Sequence, residues 1–336
     1  METDTKPNER KTKQEKTMKK TLMAAALSVM AAPAFAQDCG EVSVAEMNWA
    51  SASIISKVTE FLMTQGYGCE VTLFPSATTT AVASLAENNE PDVVPELWVN
   101  SAPLYLELEA AGKAKTAANV FSDGGTENWW VPDYLVAAHP ELATIDGILA
   151  NPDLVGGKFH NCPDGWGCRI ANDNLIKAFD FAGKGMEVFN HGSGETLAAA
   201  IASAYDNKEP FFGYYYGPTA VLGRYNMVAV DIGPYNAEIH ACNQTQDCAK
   251  PGISSYPAAP VLTVVTSDFA ERQPAVFDLV SKITFTSAEL SALLAWQDDN
   301  GASAEEAAVH YLTQKKDTWM TWVNEDAAAK LAAIFP

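Results

Sequence analysis

The sequence predicts an α/β protein of two lobes, each a mostly parallel sheet flanked by helices, with a cleft between them. Three observations predict it. Strand-like and helix-like segments alternate from residue 40 onward. The chain has 336 residues, more than one hydrophobic core ordinarily supports. A second α/β run begins after a break near residue 132, and one further strand with several helices closes the chain.

The first rhythm is read in order. Gly40 to Met47 alternates apolar and polar residues, the period of a strand. Trp49 to Gln65 places Ile54, Ile55, Val58, Phe61 and Leu62 at helical spacing, and Gly66 and Gly68 end it. Cys69 to Phe74 is a second strand, Thr78 to Glu87 a helix, Asp92 to Trp98 a strand and Ala102 to Ala111 a helix. This β-α-β-α-β order implies a parallel sheet covered by helices. Ser122 to Pro132, rich in Gly, Asn and Trp, reads as a loop. The second run extends from Tyr134 to about Val230, with helices at Arg169–Ala182 and Thr196–Tyr205 and a strand at Phe211–Tyr216. A polar loop holds Cys242 and Cys248; Val261 to Thr266 is a strand, and Ala-rich helices follow to Pro336. The expected division is residues 37–132 plus 258–336 for the first lobe and 133–257 for the second.

Residues 1–36 are expected to be a polar leader followed by a secretory signal. Lys19 and Lys20, an apolar run from Leu22 to Ala32, and Ala34-Phe35-Ala36 have the basic, apolar and small-residue parts of one. The run is shorter than the ~20 apolar residues of a membrane span. Six cysteines, Cys39, Cys69, Cys162, Cys168, Cys242 and Cys248, are an even count, which in an exported chain reads as disulfides. Adjacent pairing is the simplest connectivity, and the spacings are not those of structural zinc sites. The whole chain carries a formal charge of −20. Residues 1–36 hold seven of its 22 basic and four of its 42 acidic residues, so 15 and 38 remain, a net of −23. Nucleic-acid binding, which needs clustered positive charge, is excluded as a function class; an acidic surface favours solubility and attracts cations weakly.

Three aromatic segments carry the chemistry: Trp98 within Pro95 to Asn100, Trp166 within Cys162 to Arg169, and Tyr214-Tyr215-Tyr216. Several ring faces converging on one cleft hold a methylated cation, which cannot donate a hydrogen bond. Trp98 and the tyrosines end predicted strands, where open α/β sheets bind ligands; Trp49 opens the first helix at the same kind of edge. The turn around Trp166 precedes a helix, whose first N–H groups, those of Gly167 and Cys168, suit an anion, and Arg169 adds a candidate bidentate contact to a carboxylate. Rings and anion donors together make a capture site for a small zwitterion. A cleft between two such lobes is built to close on its ligand.

Other residues have plainer readings. Trp129, Trp130, Trp296, Trp319 and Trp322 are expected to pack in the core or at the surface. His191-Gly192-Ser193-Gly194 lacks the Lys and spacing of a phosphate loop, so Ser193 reads as a helix N-cap. Asp92 and Glu96 have no partner at acid–base spacing, the five histidines are scattered singly, and no Gly-x-Ser-x-Gly elbow occurs. No catalytic residue, metal or cofactor is therefore expected.

Trp49, Gly66-Tyr67-Gly68, Asp92 with Glu96-Leu97-Trp98, Tyr256-Pro257 and above all Cys162-Pro163-Asp164-Gly165-Trp166-Gly167-Cys168 resemble the substrate-binding proteins of glycine betaine/proline betaine ABC importers. The resemblance covers nearly the whole mature chain. It implies the bilobed periplasmic-binding-protein fold, a periplasmic, monomeric receptor, and delivery to an inner-membrane permease. It further implies Trp98 and Trp166 as cage rings, the Gly167 and Cys168 amides as carboxylate donors, and Tyr216 where the family has Trp; which of Tyr214, Tyr215 and Tyr216 faces the ligand stays open. Glycine betaine or dimethylsulfoniopropionate is the expected ligand. Choline or trimethylamine N-oxide is the alternative, and an exported enzyme acting on such compounds is the alternative of another class.

Overall fold

The computed structural model describes residues 39–335, so the expected leader and signal segment lies outside the described residues. In chain order the strands are Gly40–Met47 (β1), Cys69–Ser76 (β2), Val93–Trp98 (β3), Ala114–Asn119 (β4), Thr126–Pro132 (β5), Lys158–Asn161 (β6), Glu187–Asn190 (β7), Gly213–Gly217 (β8), Met227–Ala229 (β9) and Val261–Thr266 (β10). They form two five-stranded sheets, ordered β2-β1-β3-β10-β4 and β7-β6-β8-β5-β9. β1 pairs parallel with β2 and β3, whereas β10 runs antiparallel to β3 and β4. β6 likewise pairs parallel with β7 and β8, and β5 runs antiparallel to β8 and β9. Each sheet thus has four strands in one direction and one reversed. The reversed strand is the one by which the chain arrives from the other sheet, without the helical crossover that keeps parallel neighbours aligned.

Burial follows the layering. Every residue of β3 is buried, because helices cover both faces of the sheet, and Val93, Val94 and Leu97 make the apolar run that such a strand requires. The helix Ala50–Phe61 turns Ile54, Ile55 and Val58 onto β1 and β3. It continues into a wider turn, Leu62–Tyr67, ended by Gly68 at φ +73°, a conformation that glycine adopts without strain. Helices Ser287–Asn300 and Ala304–Gln314 return to pack on this first helix.

Three expectations change. Ser122 to Pro132 is not all loop: Thr126–Pro132 is β5, with Glu127, Trp129 and Val131 facing inward in strand alternation. Gly124-Gly125, immediately before it, is a turn signal that masked the strand. The polar stretch around Cys242 contains a helix, Ala237–Asn243, capped by the Asn236 side chain, which accepts from Ile239 N–H at 3.0 Å. Sheet membership changes between Asn119 and Thr126 rather than at residue 132, so β5 belongs with the second sheet. The cysteines pair 39–69, 162–168 and 242–248, the adjacent connectivity. Trp129 and Trp319 are fully buried core residues. Ser193 caps Gly194–Asn207, its hydroxyl accepting from Thr196 N–H.

Candidate functional site

The site lies where strand ends from the two sheets face each other. Trp49 follows β1 and is the N-cap residue of Ala50–Phe61. Trp98 is the last residue of β3, Trp166 is the N-cap residue of Gly167–Ala178, and Tyr214 and Tyr216 lie on β8. The rings meet in a chain. Trp49 and Trp166 have centroids 5.5 Å apart at 74°, Trp166 and Tyr216 5.6 Å at 75°, and Tyr216 and Trp98 5.3 Å at 76°. Near-perpendicular contacts are the geometry that ring quadrupoles favour, and here they set four rings as the walls of one box. Each ring residue is only 4–6 % exposed, so the lobes are closed over it.

Hydrogen bonds fix the ring faces. Glu96, fully buried on β3, accepts at Oε1 from Trp49 Nε1–H at 2.7 Å, Trp98 Nε1–H at 2.9 Å and the Ser51 hydroxyl at 3.0 Å. Two indoles are thereby tied by their edges, leaving their faces for the box. Trp166 donates its indole N–H to Asn48 Oδ1 at 2.8 Å, joining a ring of the second lobe to the first. Thr79 N–H and hydroxyl, both donating to the Gly165 carbonyl at 3.2 Å, add to the same seam. Glycines let the backbone come close. A Cβ at Gly125 would sit 2.3 Å from the Trp98 ring, one at Gly194 2.8 Å from the Trp166 ring, and one at Gly167 2.1 Å from the Ser101 carbonyl oxygen.

A compact pocket is enclosed by Trp49, Trp98, Trp166, Tyr214 and Tyr216, with Thr78, Ser101, Glu127, Gly167 and Cys168 at its polar end. The Gly167 and Cys168 N–H groups begin a helix and have no hydrogen-bond partner among the described residues. A larger interlobe cavity of about 640 Å³ lies on the other side of Trp49 and Tyr216. Its walls mix alanines such as Ala198 and Ala202 with the exposed charges of Glu195, Arg224 and Asp298, whereas the smaller pocket brings Trp49, Trp98, Trp166, Tyr214 and Tyr216 together around one space.

Strand alternation resolves the three tyrosines. Tyr214 and Tyr216 line the ring pocket; Tyr215 points to the larger cavity and stacks on Tyr216 at 5.2 Å. Arg169 does not line the pocket. Its Nε–H bonds Asp173 at 3.0 Å, and its Nη1 bonds Asp164 at 2.6 Å and the Cys162 carbonyl at 3.3 Å, so its fork braces the turn from behind. Sequence reading missed Glu127, Ser101 and Thr78, and Glu127 is the charged one among them. It is buried, its Oε1 accepts from the Tyr214 hydroxyl at 2.7 Å, and its Oε2 has no partner. Glu96 Oε2 is also unpaired, and the Ser101 hydroxyl lies beside Glu127 without a well-formed bond. Burial pushes both carboxyls up to about 7, against the lowering effect of their hydrogen-bond donors. An alternating pattern over Glu127, Trp129 and Val131 was the available signal for this side of the site.

Comparison with known proteins bears on the whole arrangement. Residues 40–314 match the family model described as the substrate binding domain of ABC-type glycine betaine transport systems. Comparison with curated proteins found no match. Among solved structures, a glycine betaine/L-proline-binding protein of an ABC transporter from Borrelia burgdorferi superposes with TM-score 0.70 at 16% identity, covering 86% of this chain and 99% of that one. A lactococcal protein in its closed-liganded conformation with glycine betaine gives TM-score 0.66 at 16% identity, covering 85% of this chain and 100% of that one. A choline-binding protein of an ABC transporter, in complex with choline, gives 0.68 at 19% identity, covering 89% and 99%. These likenesses show the two-lobed fold, and the family match extends over most of the sequence. The chain belongs to the family of substrate-binding domains of ABC-type glycine betaine transport systems.

Proposed function

We propose that this protein captures a small methylated onium compound in the ring box between its lobes and delivers it to the permease of an ABC importer, working outside the cytoplasm after export. The observation that carries this reading is the chain of four near-perpendicular rings, Trp49, Trp166, Tyr216 and Trp98, drawn from both lobes around one pocket. Each desolvated ring contributes about 0.5–2 kcal/mol to holding a cation. Four rings supply several kcal/mol, and micromolar affinity is reached once the cost of association is offset.

The head group chooses the rings, and the polar end of the ligand meets the first N–H groups of Gly167–Ala178. For glycine betaine or dimethylsulfoniopropionate, the ligands expected from the sequence, the carboxylate accepts from the Gly167 and Cys168 amides, aided by the helix dipole. Because the box has walls on both lobes, ligand binds as the lobes close, and opening releases it. The disulfide Cys162–Cys168 and the Arg169 fork hold the turn in shape beforehand, which lowers the ordering cost on binding.

Calorimetric titration with a panel of glycine betaine, dimethylsulfoniopropionate, choline, trimethylamine N-oxide and proline tests the reading. At least one onium compound is expected to bind at about micromolar Kd with a change in tryptophan fluorescence, and proline to bind far more weakly. Trp166→Ala is expected to weaken binding at least about tenfold, since it removes a wall and the interlobe bond to Asn48. Silence across the panel, or an unchanged Kd in Trp166→Ala, rejects the box.

A further inference from the structure

We propose that Glu127, together with Ser101, reads the polar end of the bound onium compound and selects a ligand ending in a single oxygen, an alcohol or an N-oxide, over one ending in a carboxylate. The proposal deepens the onium-box reading and rests on it. Its starting point is an imbalance at the polar end of the pocket. Glu127 Oε2 and Ser101 Oγ are both buried, Ser101 is the nearest donor to Glu127 besides Tyr214, and neither atom has a well-formed hydrogen bond; their residues line the same pocket as Trp98, Trp166, Gly167 and Cys168. Buried polar atoms in folded proteins are nearly always paired, and an unpaired one is costly. A poorly satisfied donor and acceptor side by side in a ring-walled pocket mark a place where one ligand oxygen can bond both better than they bond each other.

The donor and acceptor pattern says which atom. The Gly167 and Cys168 N–H groups and the Ser101 hydroxyl donate, whereas an ionised Glu127 only accepts. An alcohol fits this mixed set, because its oxygen accepts from the amides while its hydrogen goes to Glu127 Oε2. An N-oxide fits the same place when Glu127 is protonated and donates. A carboxylate is a poorer match, since it brings a second anion against a buried carboxyl. Charge points the same way. Glu127 is buried in the pocket wall, Glu96 is buried behind the Trp49 and Trp98 rings, and no Lys or Arg lines the pocket. The Arg169 guanidinium, on the helix that begins at Gly167, is taken by Asp164 and Asp173. Opposite charges stabilise one another in a desolvated space and like charges repel, so a ligand without an anionic end complements this wall.

Protonation of Glu127 distinguishes the two single-oxygen chemistries. The ionisable groups around it are Tyr214, whose hydroxyl donates to it, its cross-strand neighbour Tyr216, Tyr256, and Glu96 beyond Tyr216. Burial holds the Glu127 carboxyl at about 7, while the three tyrosines are pushed well above their ordinary value and stay neutral. Glu127 and Glu96 are therefore the groups that change state near neutrality. Replacing Glu127 assigns the effect between them.

The experiment is calorimetric titration of the mature protein with choline, trimethylamine N-oxide and glycine betaine, about one pH unit below and above neutrality. The wild type is expected to bind choline or the N-oxide at least about tenfold more tightly than glycine betaine. Choline affinity rises with pH if the alcohol is the partner, and N-oxide affinity falls with pH if that oxygen is. Glu127→Gln is expected to remove the pH slope and to bring the preference over betaine to within about threefold. Ser101→Ala shifts the preference in the same direction by a smaller factor and covers the case in which Glu127→Gln does not fold, as read by thermal melting. Betaine binding more tightly than both single-oxygen ligands overturns the proposal, and so does an unchanged preference in the variants. Those outcomes leave the box intact, provided that Trp166→Ala still weakens every ligand. Failure of choline and the N-oxide to bind overturns this proposal, and the box falls with it when glycine betaine and dimethylsulfoniopropionate are silent too.

Discussion

Glu96 decides which way two of the four rings face. One carboxylate oxygen takes the Trp49 and Trp98 indole N–H groups and the Ser51 hydroxyl, so truncating it leaves three buried donors unpaired and both rings free to turn. Glu96→Ala is expected to destabilise the protein by about 2–4 kcal/mol in urea unfolding and to weaken ligand binding at least about tenfold. Glu96→Gln keeps an acceptor in place and should bind within about threefold of wild type; a loss as large as that of Ala would show that charge, not orientation, is its contribution. The same burial makes stability depend on pH. Both Glu96 and Glu127 are raised to about 7 from 4.5, so the folded ligand-free protein holds protons that the unfolded chain releases. Their contribution is complete below about 4.5 and is lost as pH rises through about 7. Urea midpoints of wild type should fall across that window, and those of the Glu96→Gln, Glu127→Gln double variant should stay nearly flat. At this scale the sequence spoke unevenly. Trp98 and Trp166 were legible because each ends an element at a sheet edge. The choice among Tyr214, Tyr215 and Tyr216 needed the strand register. Arg169 was misleading because its partners, Asp164 and Asp173, lie only five and four residues away along the chain and claim it before any ligand does.

The box is positioned by the ends of elements, and close packing behind it matters as much as the rings themselves. Gly125 and Gly194 back Trp98 and Trp166 closely enough that a methyl group at either would meet the ring. Gly194→Ala is expected to push the Trp166 ring inward and weaken binding about three- to tenfold, while costing roughly 1–3 kcal/mol of stability through overpacking. Gly223→Ala is the control: it is exposed, has nothing within 4 Å of the added methyl, and sits in the helix Ala220–Arg224. It should leave binding unchanged and gain up to about 1 kcal/mol from helix propensity. Equal effects from the two substitutions would remove packing behind the ring as the explanation. Elements with strong periodicity were readable from sequence, β1 and β10 to the residue. β5 was not, because its strand pattern runs through Asn and two Trp directly after a Gly-Gly turn. Losing β5 also hid Glu127, which shows how one misread element conceals a site residue.

On the scale of the molecule, the lobes meet in a seam around the box and in an ionic contact outside it. Arg224, on the second lobe's helix Ala220–Arg224, binds Asp298 at 2.8 Å and also Asp299, both on Ser287–Asn300. These groups are partly exposed, so the contact contributes no more than about 1 kcal/mol and is screened by salt. Arg224→Ala is expected to raise Kd about two- to fivefold, chiefly through faster dissociation in stopped-flow fluorescence, with the difference vanishing near 1 M salt. A deficit that persists in salt would mean that Arg224 acts by packing. Two lobes with a double crossing were legible from the order of strands and helices. The handover between sheets was misplaced by several residues, since the reversed strand announces itself only through its partners.

The central claim is that ring faces hold the positive charge of a methylated head, and shape alone does not. The direct test compares, by calorimetry, the tightest onium ligand with its carbon analogue, in which the quaternary nitrogen is replaced by carbon and size and shape are kept. Four desolvated rings at about 0.5–2 kcal/mol each predict at least about thirtyfold weaker binding of the neutral analogue. Binding of the two within about threefold of each other would contradict the account.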